Sequence, residues 1–447
     1  MKLFPLLLSL AAPFIAAASS TNGLIANGVP RYDDRGLPVN AHGAGVIADG
    51  GRFYMFGECK TDTTNAFTGF SCYSSPDLAD WTFEGIALGV QPDGLLGPDR
   101  VGERPKVMRC PATGEYVMFM HADNLGYKDQ YTCYATSPTV TGPYTFRGPV
   151  MLDSVPLRHW DMGTFQDTDG TGYILAHHGP VYRLSPDFHS AEAMVSNVKG
   201  SGESPAVVHC GDTYFHLSSN LTSWERNDNF YYTAPSMEGP WTRRGLFCPE
   251  GTLTWNSQTS FVLPVEIEGR TVPVYMGDRW SFPRQGSAAT YVWLPLEVSD
   301  SAISIPSYMP FWSIADGREH SPLSWMPGSA LGSAEGPLFS SNNPADTLVY
   351  TFEGSQVALT GLTGQHGGYA LITLADEATS ETVFTQLIDF YSLRPDSGVR
   401  FLSPQLPQGR YTLTLTVTGD FPKWTNKRGD RFGSDDSQVI VSDIRFR

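Results

Sequence analysis

Five times between about Gly43 and Ile305 the chain passes through the same order of events. Each round opens on a hydrophobic run such as Ala44-Gly45-Val46-Ile47, turns at Gly or Asp, and enters an aromatic run such as Arg52-Phe53-Tyr54-Met55-Phe56. A third run carries Tyr or Phe. The round then closes on a Ser-Pro, Ala-Pro or Gly-Pro element followed by an aromatic residue. The closers are Ser75-Pro76 through Trp81, Ser137-Pro138 through Tyr144, Ser185-Pro186 through Phe188, and Ala234-Pro235 through Trp241. A period of about 50 residues made of short strands marks a β-propeller, in which each blade buries its faces against its neighbours. The expected fold class is therefore all-β, with a five-bladed propeller whose strand starts converge on one axial pocket.

A chain of 447 residues exceeds what one core normally serves, so a second domain is expected. Forty-five Gly and 33 Pro against 17% charged residues suit turn-rich β structure. A formal net charge of −16 argues against nucleic acid and anionic membranes, which need clustered Lys and Arg. Beyond Ile305 a Pro/Ser/Gly-rich passage runs from Pro322 to Pro337. The texture then changes to alternating runs at Thr347–Glu353, Gln356–Thr363, Tyr369–Leu374, Gln386–Tyr391, Arg410–Thr418 and Gln438–Arg447. Their spacing predicts a single β-sandwich. The expected divisions are a propeller over residues 22–314 and a sandwich over 330–447. The sandwich is either a structural brace or a carbohydrate-binding module, with Trp424 and His366 as its candidate contacts.

The first 18 residues read as a secretory signal. Lys2 supplies the positive end, Leu3 to Ile15 the apolar stretch, and Ala16-Ala17-Ala18 the cleavage site. That stretch is too short to span a bilayer, so a secreted, extracellular protein is expected. In an exported chain six cysteines favour disulfides, and pairing within rounds is simplest: Cys59–Cys72, Cys110–Cys133 and Cys210–Cys248. Asn220-Leu221-Thr222 is a glycosylation sequon.

Hydrolysis of a glycoside with inversion needs a protonated carboxylic acid, a base that aligns water on the opposite face, and polar groups for the sugar hydroxyls. In a propeller these come from the starts of different blades. Round two starts Gly102-Glu103-Arg104-Pro105, round three His159-Trp160-Asp161-Met162, round four Gly202-Glu203-Ser204-Pro205 and round five Trp255-Asn256-Ser257-Gln258. Glu103, Asp161, Glu203 and Gln258 thus sit at matched phases just before apolar runs. Clustered carboxylates raise one another's pKa through repulsion and desolvation, which is how a Glu stays protonated as an acid. His42, on an innermost strand, reads as a core histidine. No His/Asp/Glu spacing fits a metal, and no metal or other cofactor is expected.

Ala41-His42-Gly43-Ala44-Gly45, Phe56-Gly57-Glu58, Glu103-Arg104-Pro105-Lys106-Val107, Phe165-Gln166-Asp167, Met276-Gly277-Asp278-Arg279-Trp280 and Tyr291 to Leu296 form a combination of motifs. On these the chain resembles glycoside hydrolase family 43, in particular its exo-β-1,3-galactanase branch. The likeness covers roughly residues 24 to 305. It implies Glu203 as general acid and Asp161 as the carboxylate that raises and orients it. Most of the family carries a catalytic-base Asp in the first blade, and this chain has none near Asn40-Ala41-His42. The galactanase branch shares that absence and is held to use a fifth-blade Gln, matched here by Gln258. Glu103 is the alternative base or a substrate ligand, and a catalytically dead protein is the third reading. The resemblance places Glu58, Tyr127, Thr222 and Trp224 around the sugar. Arg104 and Arg279 are expected to brace carboxylates, and Trp280 to lie in the core or at the pocket rim.

Two departures bear on substrate. Met162-Gly163-Thr164 follows Asp161 where the nearest galactanases carry an acidic residue, and round three is shortened around His177-His178-Gly179-Pro180. The expected activity is a secreted, monomeric, inverting exo-hydrolase releasing galactose from the β-1,3-galactan of arabinogalactan. The alternatives are an α-L-arabinofuranosidase or β-D-galactofuranosidase, and a non-catalytic carbohydrate-binding protein.

Overall fold

Strands make up 53% of the chain and helix 4%, the helix being confined to short turns such as 253–256 and 285–288. The computed structural model describes residues 21–332, 336–426 and 428–447. The expected signal, residues 1–18, lies outside the described residues. The all-β expectation holds.

Five antiparallel meanders follow one another. The first opens with β1 (His42–Asp49) and ends at Thr82–Leu88; the second opens with β2 (Arg100–Arg109) and ends at Thr145–Pro149. The third opens with β3 (Met162–Gln166), ends at Ala191–Asn197, and gains the short strands Met151–Leu152 and Val155–Pro156 at its outer edge. The fourth opens with β4 (Glu203–Cys210) and ends at Thr242–Leu246; the fifth runs from β5 (Gln258–Ile267) through Arg270–Arg279 to Thr290–Pro295. Each opening strand touches the next, β1 with β2, β2 with β3, β3 with β4 and β4 with β5, and β5 touches β1.

The period-2 alternation of side chains drives this stacking. In the second sheet Met118 and Met120 pack with Phe56, Phe70 and Cys72 of the first. Their neighbours Val117 and Phe119 face the other way, onto Met162 and Ile174 of the third. Leu175 and Val181 meet Phe230 and Tyr232 of the fourth, and Phe215 and Leu217 meet Tyr275 and Leu294 of the fifth. Val274 and Trp293 of the fifth pack with Val46 and Met55 of the first. Every sheet is therefore apolar on both faces, and a fully buried side chain such as Phe119 contributes about 2–3 kcal/mol over exposure.

That same alternation overturns two of the expected disulfides. All six cysteines are free. Cys110 and Cys133 lie in the apolar layers on opposite sides of the second sheet. The Cys59 thiol lies beside Ser71, whose side chain takes the opposite face from its neighbour Cys72. Cys210 and Cys248 share one layer between the fourth and fifth sheets, but they too are unbonded.

From Gly328 onward two antiparallel sheets share one core. One has the order Gly328–Leu331, Val439–Phe446, Val357–Thr363, Asp396–Leu402, with Phe339–Ser341 also on Val439–Phe446; the other runs Thr347–Gly354, Gly409–Val417, Tyr369–Asp376, Thr382–Asp389. Leu359, Phe401 and Ile444 of the first meet Ile372, Leu413 and Leu415 of the second. Part of the expected linker, Gly328–Leu331, is thus already a sheet strand. The run expected at Gln386–Tyr391 forms at Thr382–Asp389, where its partner Tyr369–Asp376 sets the register. Outside both sheets stands a hairpin of β6 (Lys423–Thr425) and β7 (Arg431–Gly433). This region docks on the fourth and fifth meanders. Tyr391 Oη donates to Glu225 at 2.6 Å, Ser281 Oγ to Asp389 at 2.8 Å, and Arg284 pairs with Asp420 at 2.9 Å.

Candidate active site

Three of the opening strands share a local distortion at the same point. After His42, Glu103 and Glu203 the register with the second strand slips, and the following residues take left-handed backbone: Gly43 at φ 59°, Arg104 at 56° and Ser204 at 56°. For a residue with a Cβ that conformation costs roughly 1–2 kcal/mol, and such bulges re-aim a side chain. Each distorted N–H is met by a carboxylate of the preceding sheet or strand start. Asp278 accepts from Gly43 at 3.1 Å, Glu58 from Arg104 at 2.9 Å, and Asp161 from Ser204 at 2.7 Å. A charge-assisted hydrogen bond to a buried N–H offsets the strain.

Gln258 is delivered by a still less ordinary turn. Leu253, Thr254, Trp255 and Asn256 are all left-handed, with φ between 54° and 59°. Asp228 accepts from the Leu253 N–H at 2.8 Å. Arg279 donates to the carbonyls of Trp255 and Asn256, each at 3.1 Å. Arg279 therefore braces this turn, and not a carboxylate as expected. Strain held by surrounding contacts in this way is characteristic of functional sites.

Around Glu203 the polar groups converge. Gln258 Nε2 donates to Glu203 Oε1 and to Ser219 Oγ, both at 3.0 Å, while its Oε1 accepts from Arg104 Nη2 and Trp280 Nε1, both at 2.9 Å. The amide orientation is thereby fixed. Arg104 also pairs through Nε with Asp161 at 2.9 Å, as expected of it. Trp280, 2% exposed, is core with one polar duty toward Gln258. Burial, followed by repulsion from Asp161, pushes the Glu203 carboxyl up to about 8. Glu103 behaves oppositely. Burial opposes its charge, but Lys60, His121 and the Tyr127 hydroxyl outweigh burial and hold it well below the usual carboxylate range. The contacts are Lys60 Nζ at 3.4 Å, His121 Nδ1 at 3.3 Å and Tyr127 Oη at 2.7 Å.

These groups line one cavity of about 590 Å³, to which Glu58, Glu103, Tyr127, Asp161, Glu203, Thr222, Trp224 and Gln258 all contribute. Every site residue anticipated from the sequence is brought together there. Thr222 Oγ1 is engaged within its own loop, donating to Glu225 O at 2.5 Å and accepting from Asn227 at 2.7 Å. His42 is not part of the cavity. It is buried against Tyr291, ring on ring at 4.8 Å, with Nδ1 3.1 Å from Asp278. His366 is exposed and pairs with Asp435.

Three contributions went unanticipated. Lys60 ion-pairs with Glu58 and Glu103; it lies two residues beyond Glu58, and the alternation of an extended chain could have revealed it. His121 sits directly across from Glu103 in the strand register, and pairing the second round's runs could have found it. The third is hairpin β6–β7, which brings Trp424, Asn426, Asp430 and Phe432 to the cavity. Trp424, a candidate for a separate binding face, instead faces this site. Among the described residues no group of three or more His, Cys, Asp or Glu side chains could hold a metal ion.

Neither the family models nor the curated proteins searched gave a match. Solved structures did. A Bifidobacterium bifidum protein assigned as an exo-β-1,3-galactanase is 34% identical with a TM-score of 0.59, covering 62% of this chain and 95% of its own. The exo-β-1,3-galactanase of Phanerochaete chrysosporium, solved with galactose, is 26% identical with a TM-score of 0.69, covering 94% of this chain and 99% of its own. A Bacteroides β-1,3-galactosidase of glycoside hydrolase family 43, solved with galactodeoxynojirimycin, is 26% identical with a TM-score of 0.57 over 64% of this chain and 99% of its own. The chain is a glycoside hydrolase and belongs, with these enzymes, to glycoside hydrolase family 43.

Proposed function

We propose that the protein is a secreted, monomeric, inverting exo-β-1,3-galactanase that releases galactose from the ends of β-1,3-galactan. In this reading the five meanders are blades of a five-bladed β-propeller over residues 22–314, and the two later sheets form a β-sandwich over 330–447. The observation that carries the reading is a Glu203 carboxyl raised to about 8 and held between Gln258 and the Asp161–Arg104 pair.

A carboxylic acid that is still protonated near neutrality can donate to a departing glycosidic oxygen. Glu203 is the general acid. Asp161 keeps its proton on by repulsion and fixes the adjoining Ser204 backbone. Turning Glu203 toward the glycosidic oxygen frees one N–H of Gln258, which then holds the attacking water. As the bond from C1 to the glycosidic oxygen breaks, that oxygen takes the Glu203 proton; the water forms the new C1–O bond and its proton passes to solvent in the open cavity, from which Glu203 is reprotonated. Glu103 is ill suited to take a proton from that water, because Lys60 and His121 stabilise its charge. It accepts hydrogen bonds from sugar hydroxyls together with Glu58 and Tyr127. Trp224 offers its indole to the C–H face of the ring. The galactose bound by the Phanerochaete enzyme supports galactose release over arabinose release.

The test is digestion of de-arabinosylated β-1,3-galactan. Galactose as sole early product, with the α-anomer formed first by NMR, is expected. Release from nitrophenyl furanosides but not from galactan would refute the galactanase assignment, and a β-anomer formed first would refute inversion.

A further inference from the structure

The cavity extends well past the carboxylates. From Gln258 a chain of ring contacts leads outward. Trp280, bonded to the Gln258 amide, meets Trp224 edge-on at 5.2 Å, and Trp224 stacks on Phe282 at 5.6 Å with 3° between planes. Phe282 meets Trp424 edge-on at 6.1 Å, and Trp424 stacks on Phe432 at 5.7 Å and 10°. Trp224, Phe282, Trp424 and Phe432 all line the cavity. The last two come from hairpin β6–β7, more than 160 residues beyond Gln258 in sequence.

The hairpin is held firmly in this position. Trp424 Nε1 donates to Ser223 Oγ at 3.2 Å, beside Trp224. Asn426 Oδ1 accepts from the Arg428 and Asp430 N–H groups at 2.8 and 3.0 Å, and its Nδ2 donates to Asp430 at 2.8 Å. Gly433, at φ 93°, lies where a Cβ would stand 2.2 Å from the Pro422 carbonyl, so the hairpin closes only with glycine there.

Resting on the activity proposed above, we infer that β6–β7 forms the wall of distal subsites for the sugar units beyond the bond being cleaved. A volume of about 590 Å³ lies in the range that takes a ligand of several rings. Sugar C–H faces pack on aromatic rings while hydroxyls seek directed partners. The hairpin presents both, with Trp424 and Phe432 beside Asp430 and Arg428. A single galactose at Glu58 and Glu203 leaves that surface unused, so the occupant is a longer β-1,3-linked chain, and catalytic efficiency rises with chain length.

The full chain is assayed on β-1,3-galactobiose through galactopentaose, as wild type, Trp424→Ala, Phe432→Ala and Trp424→Phe. Both alanine variants are expected to lose about tenfold in kcat/KM on the pentaose and less than twofold on the biose, with Trp424→Phe recovering most of the loss. The same variants in a Glu203→Gln background should lose about tenfold in pentaose affinity by calorimetry. Equal losses on biose and pentaose mean a purely structural hairpin and overturn the inference, as does no loss on either. A wild type that binds pentaose through Trp424 but cleaves no galactan refutes the activity and leaves the subsites standing. Cleavage with no chain-length effect refutes the subsites alone.

Discussion

Replacing Glu203 by Gln should abolish turnover and, at alkaline pH, make the protein more stable. In the folded state the Glu203 carboxyl titrates at about 8, against a reference of 4.5. Its neutral form is therefore the one the fold prefers. That contribution is complete below about pH 4.5 and is lost as the pH rises through about 8, because the unfolded chain gives up the proton first. At 1.36 kcal/mol per unit, the shift sets a ceiling of about 5 kcal/mol on the cost of a charged Glu203 above pH 8. The side chain borders an open cavity and has Arg104 nearby, so about half of that ceiling is expected. A glutamine carries no proton to lose and keeps a carbonyl for the Gln258 N–H. The melting temperatures of the two proteins should nearly coincide at pH 4.5. They should diverge in favour of Glu203→Gln as pH rises, by several degrees at pH 9. Differential scanning calorimetry at four or five pH values checks it. A difference that stays flat, or that favours the wild type at pH 9, would show that Glu203 is not held protonated. The reasoning about the general acid would then fail. In wild type, kcat/KM should fall through an alkaline limb at about 8 for the same reason.

Asp161→Asn removes the charge that repels Glu203, so the alkaline limb of kcat/KM should move to lower pH; an unmoved limb refutes the pairing. Gln258→Ala should cut kcat about 10²-fold or more with little change in KM, because it removes the group that holds the attacking water; an almost unchanged kcat rules that role out. Tyr391→Phe deletes the 2.6 Å bond to the Glu225 carboxylate at the contact with the later sheets. A loss of about 1–3 kcal/mol in thermal or denaturant unfolding is expected, with kcat on galactobiose unaffected.

Much of this arrangement could be read in the residues. The recurrence placed the opening strands, and matched phases picked out Glu103, Asp161, Glu203 and Gln258, because a polar residue before a two-sided apolar strand has only the strand end to occupy. The hidden parts depend on tertiary contact. Lys-Trp-Thr and Arg-Phe-Gly are three-residue strands, too short for alternation to register, and tertiary contacts with Phe282 and Ser223 carry Trp424 into the site. Disulfides were expected from even counting, whereas alternation sends Cys110 and Cys133 to opposite layers. The left-handed turn at 253–256 contains no glycine to announce it, and tertiary contacts from Arg279, Asp228, Arg226 and Asn229 hold it in place.

The three carboxylates that meet a left-handed N–H tie one strand assembly to the next while facing, or lying just beneath, the sugar pocket. Glu58 and Asp161 are for that reason hard to exchange: altering either to suit a new ligand would loosen the seam it closes. Changes in what the enzyme accepts should therefore accumulate on hairpin β6–β7, at Phe432 above all, where a substitution leaves the seams between the opening strands intact.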